Sequence, residues 1–275
     1  MIFNRRWNRI GGIILVIALI ITLFPFLFTL VNSLKFFKDI ITGTLVFTPT
    51  WVNYERLFFS KQSAFIDNTL NSFVIAACST VLVVVIATLA AYSLERFRWS
   101  RWFTGVLAGW ILLFHMIPGV TVVGPFYLLF RNVGLYDTIP GLILAHLVLN
   151  LPLGIWIVQS FLADLPVELE EAAHIDGCSN LGTFLQIVVP LIAPGLAAVA
   201  ILTFVFSWNE FLFALNLTST NSATIPVGIA KFAQQYEVRY GEMSAAAFFA
   251  TIPAIIFLAL AQRQIVKGLT LGALK

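Results

Sequence analysis

Charge is what this chain has least of. Only 11% of its 275 residues are Asp, Glu, Lys or Arg, while 60% are hydrophobic. A soluble domain carries about a quarter charged residues. Mean hydropathy is +0.95. The balance excludes an ordinary soluble domain and places the chain in the membrane class. From residue 132 to residue 230 there is no Lys or Arg at all. The net charge is +3, with no basic stripe interleaved with aromatics, which argues against nucleic acid as a partner. Cysteine is nearly absent too. Cys78 and Cys178 are the only two, without a disulfide framework or metal-ligand spacing. The phosphate loop G-x-x-x-x-G-K-[ST] is missing, as are H-E-x-x-H, C-x-x-C and G-x-S-x-G. No catalytic, metal or cofactor site is therefore expected, and ATP hydrolysis by this chain is excluded.

What is there in quantity is apolar chain. A membrane helix needs about 20 mostly apolar residues. Six uncharged runs reach that length: Ile10–Leu34, Asn68–Leu94, Trp102–Phe130, Thr138–Ala163, Ile187–Asn209 and Met243–Gln262. The first follows the basic stretch "MIFNRRWNRI" but is too long for a signal h-region and lacks a cleavage site, so it reads as a retained span. The pattern predicts an all-α, polytopic membrane protein with six transmembrane helices. Lys and Arg set the orientation. With both termini cytoplasmic, nine of the 16 basic residues lie inside, three of them packed into "RFRWSR". Several of the runs contain prolines, among them Pro25, Pro118, Pro125, Pro152, Pro190, Pro194 and Pro253, which predict kinks that a bundle tolerates. His115 and His146 lie within spans and read as hydrogen-bonded packing residues. Glu210, just past the fifth run, is an acid near membrane depth and by that placement a functional candidate.

The most polar stretch between long runs is "ELEEAAHIDGCSNLGTFLQIVVPLIAPG", Glu168–Gly195. Val167–Asp176 reads as a short helix capped by Asp164, with Glu168, Glu170 and Glu171 at its positive end. Gly177 sits where a left-handed residue ends a helix, and Ser179 or Asn180 starts the next. At 100° per residue, Leu169, Ala172, Ala173 and Asp176 share one sector, with Glu170, Glu171 and His174 opposite. With no basic residue nearby in sequence, these acids are expected either in water or against another protein.

"EAAHIDGCSNLGTFLQIVVP" resembles the EAA loop of the membrane subunits of bacterial ABC importers. Glu171, Ala172, Ala173, Gly177, Ile187 and Pro190 match that pattern, and Val189 stands where Leu is usual. "AYSLERFRW" (Ala91–Trp99), "FSWNEFLFAL" (Phe206–Leu215) and "VKGLTLGALK" (Val266–Lys275) are similar to stretches of the carbohydrate branch, the tail to the second permease of the maltose-type pair. The resemblance implies a type I ABC importer permease fold in the bacterial inner membrane. Residues 1–67 would form a first helix and external loop. Residues 68–275 would form the permease core, with a cytoplasmic coupling loop at about 164–190. It further implies a homologous partner permease, two ATPase subunits that use ATP and Mg, and an external solute-binding protein. Glu171, Ala172, Ala173, Asp176 and Gly177 would couple to the ATPase. Gly268, Leu269, Thr270 and Gly272 in the tail would contact it, and Trp208, Asn209 and Glu210 would serve the gate or pathway. The competing expectation is an ion-coupled secondary transporter, for which Glu210 is the one candidate acid and no internal repeat is evident.

Overall fold

The computed structural model describes residues 5–61, 63–233 and 238–272. No strand occurs among them. In hydrocarbon every peptide group has to be bonded within the chain, and a helix does this segment by segment. In chain order the helices are α1 (Arg5–Ser33), α2 (Phe37–Ile41), α3 (Val52–Phe59), α4 (Phe65–Arg96), α5 (Arg101–Met116), α6 (Gly119–Asn132), α7 (Ile139–Ala163), α8 (Glu168–Ile175), α9 (Asn180–Thr183), α10 (Val189–Leu191), α11 (Ala193–Asn209), α12 (Leu212–Leu217), α13 (Ile225–Ala230) and α14 (Tyr240–Gly272).

Four stretches are single helices long and apolar enough to cross a bilayer: Gly11–Ser33, Phe65–Arg96, Ile139–Ala163 and Tyr240–Phe257. The fifth expected span is a bent pair. Asn180–Leu191 and Ala193–Asn209 meet at 72°, with Pro190 and Pro194 flanking the break and a wide π-type turn at Phe184–Val188. The third expected span, Trp102–Phe130, is not one helix. It divides into α5 and α6, of 16 and 14 residues, both short of a full span. Ile117 and Pro118 are extended at the junction, because Pro118 lacks an N–H and disfavours helix in the residue before it. Among the described residues the six expected spans thus become four long helices, one bent pair and one divided run.

Two compact units are present. One comprises residues up to Asp67 together with Gly228–Ile252. In it Phe58, Phe65 and Phe249 form an edge-on ring triad with centroids 5.2–5.6 Å apart. Asn53, buried, donates to the carbonyls of Ser33 and Lys35, and buried Glu242 pairs with Arg239 at 2.5 Å.

The other unit comprises Asn68–Val227 and Pro253–Lys275, and holds two apolar clusters. In one, Val83, Ala87 and Ala91 line one face of α4 at four-residue spacing and pack with Ile155, Val158 and Leu162 of α7 and with Val188, Ile192 and Val199. The other gathers Ile75, Val123, Phe130, Leu142, Phe213 and Leu217. Small residues set the approach of α7 to α4. A Cβ on Gly154 would lie 2.9 Å from Val83 Cγ1 and 3.2 Å from Ala87 Cβ. At the end of this unit away from α8, Asp137 takes a left-handed φ of 54°. Its carboxylate accepts from the backbone N–H groups of Ser219, Thr220, Asn221 and Ser222. Burial raises its pKa, but those donors outweigh burial and hold it below the ordinary carboxylate range.

Two predictions follow from this packing and this clamp. Gly154→Val has no space and costs about 1–3 kcal/mol of stability, read as a lowered melting temperature of the purified protein in detergent. Asp137→Asn keeps the left-handed backbone and removes the charge. The depressed folded pKa means that the clamp stabilises fully above the unfolded carboxylate pKa near ~3.9 and weakens as pH falls through the lower folded value. The melting-temperature gap between wild type and Asp137→Asn therefore closes as pH is taken from about 6 to about 3.

Candidate functional site

The loop between α7 and α11 is built on a short acidic helix. α7 ends at Ala163, with Asp164 in the position that closes it. α8 starts after Val167, which offers no side-chain cap. Glu168, Glu170 and Glu171 fill its first turn, where unpaired N–H groups favour negative charge. Gly177 follows with φ +87°, a conformation that L side chains rarely adopt. The Ser179 hydroxyl then accepts from Gly182 N–H at 3.1 Å and starts α9.

The faces of α8 divide differently from the sequence expectation. Glu170 and Ala173, three residues apart, point inward at 5% and 6% exposure. Glu171, Ala172, Asp176 and Gly177 are exposed, and so is Ile175, at 86%. Ala172 and Ala173 therefore do not share a surface. The expectation that the acids lack an internal partner is overturned for Glu170. Its Oε1 accepts from Arg96 Nε at 2.5 Å and its Oε2 from the Tyr92 hydroxyl at 2.8 Å. Arg96 Nη2 also donates to the carbonyls of Leu162 and Leu165, at 3.3 and 3.0 Å. One guanidinium thus joins the end of α4, the end of α7 and the start of α8. The pair is 74 residues apart in sequence. Arg96 and Tyr92 lie within "AYSLERFRW", but only the three-residue spacing of Glu170 and Ala173 hints at a buried face.

At the far end of α11, Trp208 is buried and stacks on Phe204 with centroids 5.9 Å apart. Asn209 is exposed and donates to the Val205 carbonyl. Glu210 bridges α11 and α12. Its two oxygens accept from the N–H groups of Phe213 and Ala214, at 2.8 and 2.9 Å. His146, fully buried in α7, places Nε2 3.6 Å from Glu210, beyond hydrogen-bond distance, and neither ring nitrogen has a hydrogen-bond partner. The expected hydrogen-bonded packing role of His146 is corrected to packing beside Glu210, with an ion-pair contact when the ring is protonated. Beneath it, Asn150 donates to the His146 carbonyl, and Ser207 meets Ser79 at 3.1 Å. The tail positions Gly268, Leu269, Thr270 and Gly272 continue the backbone of α14. Their side chains lie outside the described residues, as do that of His115 and all of residues 273–275. No group of His, Cys, Asp and Glu able to hold a metal ion occurs among the described residues.

Residues 83–271 match the family model described as "binding-protein-dependent transport system inner membrane component". The trehalose transport system permease protein SugB of Mycobacterium tuberculosis is 40% identical over 257 residues, 92% of each chain. The trehalose/maltose transport system permease protein MalG of Thermococcus litoralis is 36% identical over 277 residues, covering 100% of this chain and 98% of that one. Among solved structures, a chain of a bacterial ABC transporter that imports the polysaccharide alginate superposes with a TM-score of 0.79. It is 21% identical, with 96% of this chain and 99% of that one covered, a likeness of fold.

Removing one partner of the buried pair leaves the other charged and desolvated. Arg96→Ala is expected to cost about 3–5 kcal/mol locally. Amide hydrogen exchange across 163–180 reads this as early deuteration of α8, while the α11 core stays protected.

Proposed function

The chain belongs to the family of binding-protein-dependent transport system inner membrane components, and from that premise we propose that it is one of two permease subunits of an ATP-driven sugar importer. A membrane component of this kind is not itself an enzyme. The names of the relatives support sugar or a related polyol as cargo. A homologous permease would complete the pathway, an external solute-binding protein would deliver the cargo, and two cytoplasmic ATPase subunits would supply the work. Both termini would then be cytoplasmic.

The observation that carries the coupling role is the division of α8. Its inner face is tied down through Glu170 and Ala173, while Glu171, Ala172, Ile175 and Asp176 stand exposed. A helix held from behind and bare in front suits docking in a groove. Glu171 would meet a basic residue of the ATPase, Ala172 would allow close approach, and the left-handed turn at Gly177 would set the exit of the chain. Ala173 acts from beneath, as packing. The tail positions Gly268, Leu269, Thr270 and Gly272 would give a second contact. Closure of the ATPases would push α8, and with it the span ends joined to it, exchanging inward-open for outward-open states. Trp208, Asn209 and Glu210 would act at the opposite end of α11, where Glu210 fixes the corner into α12.

No observation favours the ion-coupled reading. Both oxygens of Glu210 are engaged by backbone donors, as a helix-capping acid requires.

Glu171→Arg tests this. The side chain is exposed, so the fold survives, while loss of an interfacial charge pair costs about 2–5 kcal/mol. Uptake of radiolabelled sugars by the assembled transporter, and the ATPase activity that the loaded binding protein stimulates, are expected to fall together. Retention of both would refute the coupling role. A ligand screen on the cognate binding protein identifies the cargo.

A further inference from the structure

Chain connectivity alone would hand a push on α8 to only two membrane segments, α7 before it and α11 after it. α4 has no covalent route to α8 short of passing through α5, α6 and α7. Among the described residues, two side chains near the end of α4 reach across to α8: Arg96, its last residue, and Tyr92, one turn back. The Arg96 side chain is 11% exposed and that of Glu170 7%, so solvent screens the pair little. The contact is not a single point. Nε holds Glu170, Nη2 holds the Leu162 and Leu165 carbonyls, and Tyr92, one turn back on α4, holds the second Glu170 oxygen. The Tyr92 ring also packs on Phe184, at 4.8 Å between centroids, where the chain begins the wide turn that leads into α11. Directly above lie Ala91, Ala87 and Val83 of α4, packed with Leu162, Val158 and Ile155 of α7.

Resting on the coupling role proposed above, we infer that Arg96, Glu170 and Tyr92 form a strut that makes the cytoplasmic end of α4 move with α8. All three are positioning residues. A buried guanidinium with three acceptors, on α7, on α8 and on the segment between them, has few alternative arrangements, because each displaced acceptor would be left unsatisfied in a dry setting. Displacement of α8 then carries the ends of α4 and α7 together as one body. The stroke reaches the second span as directly as the fourth and fifth.

The test is a distance measurement in the fully assembled transporter. Spin labels are placed at Glu95 and Glu168, both exposed, in a Cys78→Ser, Cys178→Ser background. Pulsed dipolar spectra are recorded without nucleotide and after trapping with ATP and vanadate. The expected result is one narrow distance, the same in both states. In the double variant Arg96→Met, Glu170→Gln, which removes both charges and keeps the bulk, the distance broadens and shifts on trapping. The reversed pair Arg96→Glu, Glu170→Arg restores a narrow peak. Should the double variant not assemble, Arg96→Lys is read in the same way, since a point charge cannot hold three acceptors in one fork. A wild-type distance that changes on trapping overturns the strut, and so does a variant that keeps the wild-type distance in both states. Glu171→Arg separates the two levels. If it leaves uptake intact, the coupling role beneath falls whatever the distances show. If it abolishes uptake while the distance test fails, only the strut falls.

Discussion

A carboxylate buried at the base of the loop between α7 and α11 has to be neutralised, and the group that does it comes from the end of another membrane helix. Glu170 lies against Arg96 and Tyr92, and the same guanidinium holds the carbonyl of Leu162 at the end of α7 and that of Leu165 just beyond it. A short eight-residue helix such as α8 has little stability of its own. Its position depends on this ion pair, on Ala173 beneath it, and on the left-handed turn at Gly177. With Glu170 turned inward and paired, the remaining acids are left facing out. The exposure of Glu171, Asp176 and Ile175 is thus a consequence of how the inner face is satisfied.

The opposite end of the unit solves the same problem with backbone donors. Asp137 gathers four N–H groups from 219–222, and Glu210 gathers two from the start of α12. Both acids lie where a long helix ends or begins; Glu210 accepts from the first turn of α12, whose N–H groups have no partner within the helix, and Asp137 accepts from the loop that follows α12. Between the two ends, α4, α7 and α11 pack through small and branched residues, with Ser207 in polar contact with both Ser79 and Asn150. Acids at the ends and an oily middle let a chain with 11% charge specify its turns without burying unpaired charge in hydrocarbon.

Proline explains where the helices depart from simple spans. Pro118 separates α5 from α6, and Pro190 and Pro194 flank the 72° bend before α11. Pro25, Pro152 and Pro253 lie inside α1, α7 and α14, which continue through them. A proline interrupts a helix fully only where the preceding residue also leaves the helical region, as Ile117 does. Sequence pattern marks every proline as a kink and cannot rank them, since the outcome depends on neighbouring helices that cover the freed carbonyls.

Much was readable from the residues alone: the all-helical membrane class, the apolar runs, the turn at Gly177, the Ser179 cap and the acidic helix between them. These are local properties, set by composition, by hydrophobic length and by the backbone needs of single residues. Tertiary structure alone decided that Glu170 is a buried partner and Glu171 a surface acid, that Ala172 is exposed while Ala173 is buried, and that Glu210 is a corner cap. Neighbouring acids in one helical turn look alike in sequence. They become different only when a guanidinium 74 residues away arrives beside one of them, and a charge is stabilised by what surrounds it in space.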